Sequence, residues 1–286
     1  MDLRRLRLFL AVVDHGGFTA AADAVHVAQP AVSLAVRELE AELGAPLLVR
    51  SRRGARLTPA GEALVGPARQ ALRDVDNAAA AVAAVTGLVA GRLDLASLPT
   101  LAADPVADLV GRFRRAHPAV TVRLAAPLDL DELAASVRSG VAEVGITEAG
   151  AANHGLVEER LGEQELYAVS PAGGPAAPLR LARLASVPLV LSPPGSSLRD
   201  VVDVALAVVG VEPDVAVETA QRDALIPLVL AGAGTTFLPD TLARAAGQLG
   251  ATVRPTTPRL RRTIVAVHRA GEIGPAATRF LALAPG

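Results

Sequence analysis

Two helical stretches separated by a four-residue turn constrain this chain more than any other feature. Leu3, Leu6, Leu10 and Val13, with Phe9, repeat at intervals of three and four, the period of an amphipathic helix. His15-Gly16-Gly17 interrupts that pattern, and Thr19 to Val25 continues as a short alanine-rich helix. After the turn His26-Val27-Ala28-Gln29, Pro30 opens a further helix, where its missing N–H costs nothing. Val32, Val36, Leu39 and Leu43 line one side of it, and Gly44 ends it. A short helix, a tight turn and a second helix form the helix-turn-helix plan. Phe9, Phe18, Val25, Val32, Val36, Leu39 and Leu43 are its expected core.

Leu47–Arg50 and Ala55–Thr58 flank Ser51-Arg52-Arg53-Gly54 and read as a β-hairpin with a basic tip, a wing. Thr58-Pro59 is a helix start: an N-cap hydroxyl followed by proline in the first turn. The spacing predicts one long helix from Pro59 to about Val89. Its Ala78–Val85 stretch is almost wholly small and apolar, so a partner chain is the natural cover.

After Gly91 the rhythm changes. Strands are expected at Leu93–Ala96, Val120–Leu124, Val144–Thr147, near Leu166–Val169, and at Leu189–Leu191, Val215–Val217, Thr235–Leu238 and Ile264–Val267. Helices are expected at Leu101–Ala116, Leu130–Ser139, Ser197–Val209, Asp223–Ala231 and Pro275–Leu283, with one more before Ile264. Alternating strands and helices argue for α/β architecture. No repeat of fixed period is visible.

Composition narrows the function classes. The chain has 286 residues, enough for about two domains. It contains no cysteine, so a disulfide framework, a thiolate zinc site and a thiol nucleophile are excluded. The five histidines show no metal-ligand spacing, and no uncharged apolar run reaches the length of a membrane span. No secretory signal follows Met1, so a cytoplasmic location is expected. Every basic residue is arginine. Residues 1–60 hold eight arginines against six acids, a local +2 in a chain of net −1, and four of the eight fall between 50 and 56. Such asymmetry permits a nucleic-acid contact. Aromatics are only 2%, which disfavours stacking on single-stranded bases.

The first 65 residues resemble the LysR-type transcriptional regulators. The resemblance runs through Leu6–Leu10, Gly17-Phe18-Thr19-Ala20-Ala21-Ala22, Gln29-Pro30-Ala31-Val32-Ser33, Leu39 through Arg50, and Leu57-Thr58-Pro59-Ala60-Gly61-Glu62. It continues more loosely through Gly91-Arg92-Leu93, Phe113 with His117-Pro118 and Val120, Gly195–Arg199, and Val229 to Pro239. It implies an α/β protein with a winged helix-turn-helix at 1–58, a linker (dimerisation) helix at 59–90, and an effector-binding domain at 91–286. That last domain is similar to type-2 periplasmic binding proteins, with subdomain I at 91–162 and 266–286 and subdomain II at 163–265. The implied function is sequence-specific DNA binding and transcriptional regulation, modulated by a small molecule held between the two subdomains. Double-stranded DNA and further copies of the chain, as homo-dimer or homo-tetramer, are the implied partners. RNA polymerase is a candidate partner, and neither cofactor nor metal is implied.

The resemblance puts Gln29, Pro30 and Ser33 at the leading end of the recognition helix, where base edges in the major groove are read. Arg37, one turn on, suits a phosphate, and Arg50, Arg52 and Arg53 suit the backbone or the adjacent minor groove. Two positions depart from the family. A cationic residue often follows the serine, whereas Leu34 stands here, suited to a thymine methyl. The usual Ser or Thr before Gln-Pro is Ala28, so a side-chain cap worth roughly 1 kcal/mol is absent.

Hydroxyls at strand ends and helix starts mark the expected effector site. Thr100 is expected to cap the helix after it, Thr147 and Thr219 to end strands, and Ser196 and Ser197 to open a helix. Ligands of α/β sheets bind beyond the carboxyl ends of strands, and helix N-termini favour anions. An enzyme is the weaker reading. Gly232-Ala233-Gly234 lacks the third glycine of a dinucleotide site, and Glu143 and Glu148 have no evident partner in the sequence. A transported solute-binding protein fits the later region but not the winged start.

Overall fold

A computed structural model describes residues 1–51, 54–85, 91–150, 155–175, 177–271 and 273–284, with backbone alone at 50, 51, 79–81 and 83–85. The chain divides into two units. One holds Met1–Gly91, Arg138–Val141 and Gly274–Ala276; the other holds Arg92–Val137, Ala142–Ile273 and Ala277–Gly286.

In the first unit, helix α1 (Leu3–His15) starts at Asp2, whose carboxylate accepts the Arg4 N–H at 3.1 Å. Helices α2 (Phe18–Ala24) and α3 (Gln29–Leu43) follow. Leu6, Phe9 and Val12 of α1 pack with Ala21 and Ala22 of α2 and with Val32, Val36 and Leu39 of α3, all fully or nearly buried. The apolar periodicity of the sequence therefore points inward as expected. Val25 and Leu43 correct the expected core, for both are exposed. Each stands at a helix end, Val25 just past α2 and Leu43 as the last residue of α3, where the buried stripe has run out. Arg5 of α1 bridges Glu38 and Glu42 of α3 at 3.0 and 3.1 Å.

Strands β1 (Leu48–Ser51) and β2 (Gly54–Leu57) form the antiparallel wing, with Leu48 opposite Leu57. Its base is fixed to the helices at two points. The carboxylate of Glu40 accepts the backbone N–H groups of Leu47 and Leu48 at 2.8 and 3.2 Å. The N–H of Ala55 donates to Gly16 O at 3.0 Å. Gly54, at φ +122°, lies so close to Gly16 that a Cβ would collide with the same carbonyl.

Helix α4 (Pro59–Val85) begins as the sequence predicts: Thr58 Oγ1 accepts the Gly61 N–H at 3.0 Å and donates to Pro46 O at 2.6 Å. Gly61, a weak point for a helix by propensity, is required here by contact. A Cβ would strike the carbonyl of Leu47. Residues 86–89 of the expected helix lie outside the described residues.

The second unit is organised by one mixed sheet, in the order β10 (Thr236–Pro239), β6 (Val157–Ser170), β11 (Thr252–His268), β5 (Val144–Glu148), β3 (Gly91–Ser97) and β4 (Val120–Ala125). Strands β3 (Gly91–Ser97), β4 (Val120–Ala125) and β5 (Val144–Glu148) match the expected positions, with β3 and β5 parallel. The expected single helix over Leu101–Ala116 is broken. Helix α5 (Pro99–Leu101) runs into an irregular turn before α6 (Ala107–Ala116). Pro105 is the cause: it lacks an N–H and pushes Asp104 to an extended φ −156°, ψ 117°. Helix α7 (Leu130–Arg138) precedes β5.

Two strands prove far longer than the sequence suggests. The strand expected near Leu166–Val169 is β6 (Val157–Ser170), and the one expected at Ile264–Val267 is β11 (Thr252–His268). They pair antiparallel over nearly their whole length, with shifts between Pro255 and Leu260 and between Ile264 and Val265. Charged runs such as Glu158-Glu159-Arg160 and Arg261-Arg262 break up their apolar residues, and two prolines interrupt β11, which hid both from an apolar-run reading. The expected subdomain boundaries at 162/163 and 265/266 fall inside these two strands.

Strand β7 (Leu179–Arg180) pairs with β11. Strands β8 (Leu189–Leu191) and β9 (Val215–Glu218) form a parallel pair, with α8 (Ser197–Val208) between them in sequence. A short turn at Arg222–Ala224 leads to α9 (Leu225–Leu230), so the expected helix at Asp223–Ala231 is split in two. Strand β10 (Thr236–Pro239), α10 (Asp240–Gln248) and α11 (Pro275–Leu281) complete the fold.

Candidate functional site

Helix α3 carries the features of a recognition helix. Its buried stripe is Val32, Ala35, Val36 and Leu39, and its outward stripe is Pro30, Leu34, Arg37 and Glu38. Leu34, at 53% exposure, is a large apolar side chain turned to solvent on the second turn. Ala28 makes no side-chain cap, as expected. Burial within the helical core therefore has to hold this N-terminus in place.

Ser33 is placed differently from its neighbours. It is only 5% exposed, and its Oγ accepts from Nε2 of Gln29 at 2.8 Å. Its carbonyl accepts from Nε of Arg37 at 3.2 Å. Ser33 thus ties together the two side chains that flank it on the helix surface. Gln29, Pro30, Ser33 and Arg37 line a recess of about 480 Å³ with Phe18, Val36, Glu40 and Leu48. Arg50 is placed by its backbone opposite Ala55 in the wing. Arg52 and Arg53 lie outside the described residues.

In the second unit, four side chains converge on Arg262 of β11, which is 5% exposed. Its Nη1 donates to Glu148 Oε1 at 2.7 Å and to Ser197 Oγ at 3.0 Å. Both terminal nitrogens reach Thr100 Oγ1 at 3.3 Å. Nε and Nη2 donate to Gln164 Oε1 at 2.8 and 2.5 Å, and Gln164 Nε2 donates to Asp104 O at 2.6 Å. Ser197 also hydrogen-bonds the Glu148 carboxylate. Burial pulls the Arg262 guanidinium below its ordinary pKa, while Glu148 acts in the opposite direction. Residues from α5, β5, β6, α8 and β11 thus meet at one buried charge. The Glu148–Arg262 pair also borders a shallow recess of about 400 Å³, walled by Val201, Val204 and Ala205 of α8.

The hydroxyls singled out from sequence divide accordingly. Thr100 and Ser197 meet at Arg262. Thr100 does not cap a helix: Pro99 starts α5 one residue earlier, and Leu98 stands at the cap. Ser196 Oγ donates to Pro193 O at 2.8 Å, and Thr219 Oγ1 accepts the Gln221 N–H at 3.0 Å, so both close local turns. Thr147 is buried within the sheet, opposite Val265. Glu148 does have a partner, and Arg262, Gln164 and Asp104 were missed. An arginine two residues before the apolar run Ile264–Val267 was the available signal, hidden because β11 was not read as one strand.

Comparison with known proteins agrees with this geometry. Residues 3–62 match the bacterial regulatory helix-turn-helix model of the lysR family, and residues 86–285 match the LysR substrate binding domain. The chain is 34% identical over 253 residues to the HTH-type transcriptional regulator TfdS of Cupriavidus pinatubonensis, covering 85% of this chain and 84% of that protein. It is 32% identical over 252 residues to the HTH-type transcriptional regulator IlvR of Caulobacter vibrioides, covering 86% and 85%. Among solved structures, a full-length cysteine-to-aspartate variant of OxyR from Pseudomonas aeruginosa superposes with a TM-score of 0.79 at 25% identity, covering 99% of this chain and 93% of that one. Full-length CbnR in complex with its target DNA superposes with a TM-score of 0.69 at 27% identity, covering 99% of both.

The chain belongs to the LysR family of transcriptional regulators. It is a DNA-binding regulator whose substrate-binding domain responds to a small-molecule effector. No helix among the described residues is long and apolar enough to cross a membrane.

Proposed function

We propose that this protein reads duplex DNA through the outward stripe of α3 and answers to a small anionic effector held around Arg262. The carrying observation is the split of α3 into a buried stripe and an outward one that begins at its N-terminus. Leu34 meets a base edge, best a thymine methyl, while Gln29 reaches a base edge or phosphate. Arg37 neutralises a phosphate. Ser33, being buried, acts mainly by orienting Gln29. Arg50, Arg52 and Arg53 supply positive charge to the DNA backbone or the adjacent minor groove.

Residues 1–58 form the DNA-binding domain, 59–90 the linker and 91–286 the effector domain. Its two subdomains exchange chain along β6 and β11. Thr100 and Ser197 contact the effector directly, with Ser196, Thr219 and Thr147 shaping the turns and sheet behind them. An anion is favoured by the N-terminus of α8. The effector must bind one subdomain arrangement better than another to change DNA binding. The protein works in the cytoplasm, as a homo-oligomer paired through α4, and catalyses no reaction.

Selection of fragmented genomic DNA on the purified full chain tests this reading. A recovered sequence with two-fold related half-sites, retained by the wild type and lost by Gln29→Ala combined with Leu34→Ala, is the expected result. Recovery without sequence preference, or equal recovery by the double variant, would remove α3 from base recognition.

A further inference from the structure

We propose that Arg222 is the anchor for a carboxylate group on the effector, at a position no hydroxyl of the sequence reading marked. This rests on the effector-cleft reading above and adds the chemical class of the ligand.

Arg222 opens the turn that follows β9, and Ser197 opens the helix that follows β8. These strands are parallel neighbours, with Leu191 opposite Glu218, and the ladder extends to the Thr219 N–H, which donates to Leu191 O at 3.0 Å. Both residues therefore emerge from the same carboxyl edge, where α/β folds place ligands. Ser197 in turn holds Arg262 at 3.0 Å. Nη1 of Arg222 is buried and has no hydrogen-bond partner among the described residues. Burial, with the like charge of Arg262 nearby, holds the Arg222 guanidinium below its ordinary pKa.

A buried guanidinium nitrogen without an acceptor is a costly arrangement that calls for an explanation. The carboxylates beside Arg262 do not supply one. Glu148 is engaged by Arg262 and Ser197, and the Asp104 carboxylate accepts the Thr241 N–H at 3.3 Å. Arg262 has its charge matched within the chain, whereas Nη1 of half-buried Arg222 has no such match among the described residues. A guanidinium fork fits a carboxylate in bidentate fashion, and a neutral amide of the same shape cannot match that charge-assisted pair. Arg222 therefore selects acids over their amides.

The full-length protein is tested with acetate, butyrate and benzoate against acetamide, butyramide and benzamide. Sodium chloride matches the ionic strength, and thermal midpoint is the readout. At least one acid should raise the midpoint above its amide and above chloride. Arg222→Gln should abolish that difference and weaken the best acid roughly 10- to 150-fold by titration calorimetry. Arg222→Lys, which keeps the charge but not the fork, should recover only part. Each variant's midpoint in chloride alone shows that it is folded. Protection undiminished in Arg222→Gln, equal protection by acids and amides, or no protection by any acid would overturn the assignment. Ser197→Trp separates it from the cleft reading. Amide protection lost in Ser197→Trp would leave the cleft standing without the Arg222 anchor, while acid protection surviving in Ser197→Trp would remove the cleft itself.

Discussion

Arg262 Nη1 lies 2.7 Å from Glu148 Oε1, and this ion pair is the hub of the second unit, because Ser197 of α8 joins both partners. Glu148 ends β5, Arg262 lies in the long strand β11, and Ser197 begins α8. One pair of charges thus joins three elements whose relative placement would shape any effector cleft.

Replacing Glu148 with Gln should destabilise the second unit by roughly 3 kcal/mol, the low end for a broken buried pair. The low end applies because Glu148 keeps 22% of its side chain exposed while Arg262 keeps 2%. Chemical denaturation of the full chain measures it. A loss below about 0.5 kcal/mol would show that solvent already compensates Arg262.

Thr58→Ala should cost roughly 1 kcal/mol, since it removes the Gly61 cap and the bond to Pro46 together. Denaturation monitored by circular dichroism, which reports helix content, gives the value. An unchanged midpoint would mean that Pro59 alone sets the helix start.

The start of α4 was legible in the sequence because cap, proline and turn are local chemistry. The helix-turn-helix was legible for a related reason: Phe9, Val32, Val36 and Leu39 repeat at helical spacing and are all buried. What escaped was long-range. Gly61 looks like a flaw until the Leu47 carbonyl is seen against it. β11 could not be read as one strand across Pro255 and Pro258, so Arg262 had no place in a site. Arg222 shows no sequence signal at all, for its significance lies in the acceptor its Nη1 lacks among the described residues. Conversely, Ser196 and Thr219 fitted the rule for strand-end hydroxyls, yet both are taken up by their own turns.

Leu34→Ala should weaken binding to the selected operator by roughly 1–2 kcal/mol, the transfer value of the lost apolar surface. That is about a 5- to 30-fold loss. Binding to unrelated duplex should stay unchanged, because phosphate contacts are untouched. Competitive mobility shifts with both duplexes distinguish a base contact from a general loss of affinity.

Val82 of α4 is 72% exposed and stands two turns from Val75, which is 43% exposed. Val82→Glu should shift the sedimentation profile toward the single chain, since a charge placed between paired apolar helices is penalised. An unaltered profile would move the pairing surface away from this face of α4.

The most direct test of duplex recognition by α3 is the salt dependence of DNA binding by the full chain, wild type against Arg37→Ala. Each neutralised phosphate contributes a slope of about −0.9 in log affinity against log salt. The account predicts a steep slope for the wild type, made shallower by about 1 in Arg37→Ala, with operator preference retained. A flat wild-type response, or identical slopes for the two proteins, would contradict it.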